Sequence, residues 1–150
     1  MRKLPGVTAT SVGFAGGTVD YPTYEEVCSK QTGHAEVVRV VFDVRQLTVR
    51  ELLIFFLELH DFSRDRREGG GQYRSAIFAV AGDSYAVELL REAELLLEQV
   101  RTAGAIVCTE VSTVTAFYPA TGRHQQYCTT RGLTPKRQVK TSVRALLTAI

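Results

Sequence analysis

A chain of 150 residues, 45% hydrophobic and 23% charged, carries apolar material for one core and is too apolar for wholesale disorder. A net charge of +2 argues against nucleic acid and anionic membrane surfaces as partners, since both select strongly basic faces. Three cysteines with no close pairing, Cys28, Cys108 and Cys128, argue against a secreted disulfide framework and for a reducing, cytoplasmic setting.

Val7 to Phe14 alternates apolar with small or polar residues and reads as a strand ending at Gly16-Gly17. Thr18 to Lys30 reads as a loop with one helical turn over Tyr24 to Cys28. Glu36 to Asp43 holds Val37, Val38, Val40, Val41 and Phe42, a β-branched run suited to a buried strand. Thr48 to His60 is a predicted helix. Thr48 and Glu51 have the spacing of a capping box, and Leu52, Leu53, Phe55, Phe56 and Leu59 supply an apolar face. A charged, Gly-ended loop, Arg64 to Gly71, leads to a strand over Tyr73 to Val80. Asp83 is placed to cap a long helix to Ala103, with Gly104 in the left-handed closing position. Ala105 to Tyr118 reads as one long strand with a bulge near Ser112, where the alternation slips. His124 to Thr129 reads as a helical turn, and Val139 to Ile150 as a helix on the spacing of Val143, Leu146, Leu147 and Ile150. The tail, 131–150, is the least defined part. Strands alternating with helices imply an α+β fold: one domain over 1–150, a mixed β-sheet with helices packed on it. No apolar run reaches membrane-span length, and no apolar segment follows Arg2 and Lys3 as a secretory signal requires. Organelle targeting stays open.

The chemistry-bearing residues fall in three stretches. Pro22-Thr23-Tyr24-Glu25-Glu26-Val27-Cys28 runs on to Thr32-Gly33-His34-Ala35-Glu36. Gly71-Gln72-Tyr73-Arg74-Ser75-Ala76-Ile77 follows, and then Phe117-Tyr118-Pro119 with His124-Gln125-Gln126-Tyr127. Glu36 stands at the mouth of an apolar strand among tyrosines, where burial disfavours the charged carboxylate and a retained proton is expected. The competing reading is a solvated strand-end carboxylate, the commoner fate of glutamate. Tyr24, Tyr73 and Tyr127 bring phenol donors that can hold an acceptor oxygen, or else are half-buried core aromatics. Cys128, directly beside Tyr127, is a candidate redox thiol; its bland reading is a small apolar side chain. Cys28 reads as structural and Cys108 as core. His34, His60 and His124 make no metal-ligand spacing with the cysteines, and the Gly-rich stretches lack a phosphate-cradling partner, so neither a metal nor a cofactor is expected.

In that order the three stretches resemble the A-type peptide methionine-S-sulfoxide reductases, over most of residues 3–130. The resemblance implies a thiol-dependent reduction of methionine-S-sulfoxide, peptide-bound or free, in the repair of oxidative damage. It implies Glu36 as proton donor, Tyr24, Tyr73 and Tyr127 around the sulfoxide oxygen, and thioredoxin as final electron donor. In that family the nucleophilic cysteine stands in a Gly-Cys-Phe-Trp turn near the N-terminus. Here no tryptophan occurs, and Met1-Arg2-Lys3-Leu4-Pro5-Gly6-Val7 looks like the end of the helix that follows that turn. The expectation is therefore an N-terminally truncated reductase domain. The alternatives are a sulfoxide-binding pseudoenzyme without turnover, or an enzyme using Cys128. The family also places an Asn-Asp pair before Gln-Tyr-Arg-Ser; Asp65 or Glu68 would have to substitute for it here, unless both are solvated loop charges.

Overall fold

The computed structural model describes residues 1–67, 71–134 and 142–148. Strand β1 (Val7–Ala15) is the centre of a three-stranded antiparallel sheet, with β2 (Ala35–Phe42) on one side and the short β5 (Tyr118–Pro119) on the other. Its register sets Phe14 opposite both Glu36 and Tyr118. A separate pair, β3 (Ala76–Val80) and β4 (Glu110–Val114), runs parallel. Parallel strands need a long crossover, and helix α3 (Ala86–Thr102) supplies it. Leu96, Leu97 and Val100 of α3 are fully buried against Leu53 and Leu57 of α2 (Val49–Leu57) and Ile77 of β3. The mixed-sheet expectation is thus realised as one antiparallel and one parallel sheet with helices packed on them.

Several boundaries moved, each for a local reason. Helix α2 begins as expected: Thr48 accepts from Glu51 N–H, and the Glu51 carboxylate accepts from Thr48 N–H. It ends at Leu57, before the predicted His60. In α3 Tyr85 is the first-cap residue, and Asp83 acts a step earlier by accepting the Tyr85 N–H at 2.8 Å. Gly104 closes the helix at φ +88°, with the Ala105 N–H reaching back to Val100 O. The strand expected from Tyr73 starts only at Ala76, because Arg74 N–H bonds back to Gly71 O and bends the chain into a turn.

The largest correction is the single long strand over 105–118. Ser112 is regularly paired with Phe78 in β4, so no bulge interrupts the strand there. The break comes after Val114, and Tyr118–Pro119 joins the other sheet. Gly13 makes that switch feasible: a Cβ on it would lie 2.3 Å from Tyr118 O and 2.6 Å from the Phe117 ring. The predicted turn at His124 to Thr129 is two pieces, a 3-10 turn over Gly122–His124 and α4 (Tyr127–Thr130), separated by left-handed Gln126. In the tail, α5 (Val143–Thr148) buries Val143 fully against the main core. Buried Glu58 anchors it by accepting from the Ser142 hydroxyl and the Arg144 N–H. The remainder of the expected helix, 139–141 and 149–150 with Ile150, lies outside the described residues. No helix among the described residues is long and apolar enough to cross a membrane.

His60 joins the helix layer to the parallel pair. Its Nδ1–H donates to Phe56 O at 3.1 Å, so Nε2 accepts from the Ser75 hydroxyl at 2.7 Å, which in turn meets Thr109. Burial holds the His60 imidazole below its usual value of 6.5, against the opposing pull of the Phe56 carbonyl. The unfolded chain therefore takes up a proton that the folded chain resists, and stability falls as pH drops through this window. The melting temperature is expected to fall as pH drops through and below the ordinary imidazole value of 6.5, and His60→Gln to flatten that fall. Calorimetry on both proteins checks it; an equal fall in the variant would remove His60 as its source.

Candidate active site

A capping box that the sequence reading passed over sets the first wall of the site. Thr23 N–H donates to Glu26 Oε2 at 2.8 Å and Glu26 N–H to Thr23 Oγ1 at 3.2 Å, which fixes α1 (Tyr24–Cys28) as a single turn. Tyr24 and Cys28, four residues apart, share one face of it. The His124 ring stacks on the Tyr24 ring with centroids 4.5 Å apart. Gln125 holds this region against β1: its amide accepts from Val12 N–H and donates to Val12 O, both at 2.8 Å, as a strand would.

Glu36 enters from the start of β2. The loop before it is locked by buried His34, whose Nδ1 accepts from Gly17 N–H while Nε2–H donates to Val19 O at 2.7 Å. A Cβ on Gly17 would sit 2.5 Å from the His34 ring, so this lock needs glycine there. Gln72 and Tyr73 enter from the Gly71–Arg74 turn. The Gln72 amide donates to Glu36 Oε1 at 2.6 Å and to Cys28 Sγ at 3.5 Å, and its backbone carbonyl accepts from Glu36 N–H at 2.8 Å.

Glu36, Tyr24 and Tyr73 are therefore brought together from three separate segments. The Tyr24 hydroxyl is pushed up to about 12, chiefly by its hydrogen bond to Cys28 and the charge there, then by Tyr73 and Glu36. Tyr73 is also raised, by burial first and by the Glu36 carboxylate and its hydrogen bond next. Both phenols thus keep their protons far above neutral pH and act as donors.

Tyr127 is exposed on α4; its hydroxyl accepts from Arg131, whose guanidinium also covers its ring at 4.1 Å. Cys128, next to it, is half-buried. Asp65 is engaged elsewhere, in an ion pair with Arg67 at 2.6 Å that holds its carboxyl down at about 2. Glu68 lies outside the described residues. Two surface hollows, one lined by Phe62, Ala103 and Leu146 and one by Tyr21, Phe117 and Tyr118, do not include the cluster. Among the described residues no group of histidines, cysteines and carboxylates is arranged to hold a metal ion.

The sequence profile of the peptide methionine sulfoxide reductase family matches residues 1–148. The chain belongs to this family. It is 45% identical over 130 residues to the peptide methionine sulfoxide reductase MsrA of Xylella fastidiosa, covering 83% of this chain and 60% of that protein. It is 42% identical over 137 residues to the MsrA of Geobacter metallireducens, covering 87% of this chain and 82% of that one. The fold is similar to that of methionine sulfoxide reductase A of Corynebacterium diphtheriae, with a TM-score of 0.72 and 35% identity over 88% of this chain and 68% of that chain. Mxr1 of Saccharomyces cerevisiae in reduced form also superposes with a TM-score of 0.72, at 28% identity over 88% of this chain and 76% of that chain. The chain thus spans less than two thirds of the length of the Xylella relative.

Within this reductase-family fold, two residues of the cluster's surroundings carry no role in the sequence reading, and a third carries a different one. Gln72 stands beside Tyr73, and a polar amide at the entry to an apolar strand has to find a partner. His124 gave no signal beyond its place in the motif. Cys28 is corrected: it is exposed, with its thiol at the Gln72 amide and the Tyr24 hydroxyl, rather than a structural side chain. Cys108 is half-buried ahead of β4, with its thiol donating to Ser63 O at 3.3 Å. On exposure alone, Cys28 is expected to be labelled by an aryl disulfide reagent before Cys108 and Cys128. Mass spectrometry of partially labelled protein checks this, and first labelling at Cys128 would contradict the placement.

Proposed function

We propose that this chain performs the oxygen-side chemistry of a peptide methionine-S-sulfoxide reductase. The observation that carries the reading is the bridge from Gln72 to Glu36 Oε1 and Cys28 Sγ, which draws the Tyr24 turn and the Tyr73 turn to Glu36. Family membership and the names of the relatives support the substrate class. A sulfoxide is a strong dipole with an acceptor oxygen, and phenol O–H groups match it. Glu36 is assigned the proton donor. Protonating the oxygen as a cysteine thiolate attacks sulfur lets the S–O bond break without expelling a naked oxide. Two thiols give up two electrons to the sulfoxide sulfur; they end as a disulfide, and the oxygen ends as water. Thioredoxin would regenerate the thiols. Cys28 is the thiol in contact with the cluster, whereas Cys128 adjoins Tyr127; their serine variants report which one supplies electrons.

The test follows methionine formation from N-acetyl-methionine-S-sulfoxide with dithiothreitol, then with thioredoxin and its reductase. Glu36→Gln should lower kcat by ~10²–10⁴-fold, the usual worth of general acid catalysis. Tyr73→Phe should cost about fivefold, since one hydrogen bond is worth about 1 kcal/mol. Wild-type rates in Glu36→Gln would remove the proton-donor assignment. Sulfoxide binding without turnover would leave recognition standing and remove the reductase step.

A further inference from the structure

Gln72 is buried, at 7% exposure, and meets Glu36 twice. Its backbone carbonyl accepts from Glu36 N–H at 2.8 Å, and its side-chain amide donates to Glu36 Oε1 at 2.6 Å. The two contacts have opposite polarity and come from one residue, so they fix both the height of Glu36 at the entry to β2 and the rotation of its carboxyl plane. An amide N–H can only donate, so Oε1 presents a lone pair to it. The carbonyl oxygen of a protonated carboxyl is a better acceptor than its hydroxyl oxygen, so this contact favours the proton on Oε2. Because Gln72 is followed directly by Tyr73, the residue that sets the carboxyl also sets the phenol that faces it.

We propose that Gln72 is a positioning residue that assigns the transferable proton of Glu36 to Oε2 and holds it toward the Tyr24 and Tyr73 hydroxyls. This rests on the reductase reading above. In that reading a misdirected carboxyl leaves substrate binding largely intact and slows the step in which the oxygen is protonated, because small misplacements of a catalytic group are costly. Gln72→Met keeps the length of the side chain and removes the donor. Its kcat should fall by ~10–100-fold, with KM changed by less than about threefold. In a Glu36→Gln background the same substitution should add less than about twofold, because the two residues act as one unit.

The contact itself is read without turnover from the Gln72 side-chain amide signals of ¹⁵N-labelled protein. They should move when Glu36 is replaced by alanine. Full multiplication of the two kinetic losses would overturn the proposal, as would Gln72 amide signals unmoved in Glu36→Ala. Should Gln72→Met fold poorly, the amide signals of the Glu36→Ala protein still decide the contact. A wild-type chain without sulfoxide turnover defeats the reductase reading, and the amide signals then tell that failure apart from a missing Gln72–Glu36 bond.

Discussion

One buried guanidinium holds the site together. The side chain of Arg74 is only 9% exposed, and it ties the parallel β3–β4 pair to the loop before β2, with which that pair shares no strand pairing. Nε–H donates to Glu110 at the start of β4, at 2.8 Å. Nη1–H donates to Gly33 O in the loop before β2 and to Gly71 O in its own turn. The guanidinium also lies over the Phe78 ring of β3. A five-donor planar fork suits this task and a lysine ammonium does not, because the acceptors lie in three directions. The pairing is asymmetric in energy. Making it gains little over well-packed apolar groups, while removing Glu110 leaves the guanidinium with only the carbonyls of Gly33 and Gly71 as acceptors.

What this clamp positions is the turn between Gly71 and Arg74. Gly71 adopts φ +73°, a conformation that favours glycine, and the Arg74 N–H closes the turn on its carbonyl. Gln72 and Tyr73 are the two residues between, so their directions follow from the closure. From the other sheet, Glu36 is carried to the same place by the β1–β2 register and by the His34 lock on the loop before it. The site is therefore a seam between the antiparallel and the parallel sheet, and its geometry depends on contacts that neither sheet makes alone.

The sequence was most readable where a single segment determines the outcome. The Thr48–Glu51 capping box and the left-handed Gly104 needed only local physics and stand at their expected places; the β-branched run of β2 forms its strand but not the expected buried one, since Val38 and Val41 are 47% and 48% exposed. The reading failed where distant segments compete. Phe117 and Tyr118 look like a continuation of β4, and only the bare Cα of Gly13, far away in sequence, accounts for Tyr118 and Pro119 joining the other sheet. Asp83 looks like a helix cap, yet its carboxylate is used by the Tyr85 N–H just ahead of the helix. At the site, Tyr24, Glu36 and Tyr73 were legible as motif residues. Their partners were not: Gln72 and His124 act through spatial neighbours, and Cys28 looked inert until its place beside the Tyr24 hydroxyl was known. Tyr127 follows left-handed Gln126, and its contacts are with the Arg131 guanidinium.

The chemistry of the cluster is lopsided in a way that bears on turnover. Its polar groups are mostly donors: two phenols that hold their protons and a glutamine amide committed to the one carboxyl. On the reductase reading this favours the sulfoxide, whose oxygen accepts strongly, over the product thioether, whose sulfur accepts weakly. A site built to hydrogen-bond an oxygen penalises the molecule that lacks it, because the donors must then turn to water or go unpaired. Water can reach Tyr73, which is 57% exposed, so that penalty is relieved once the product departs. On that reading the donors that would hold the sulfoxide would also help to release the sulfide, and binding would not have to be tight for turnover.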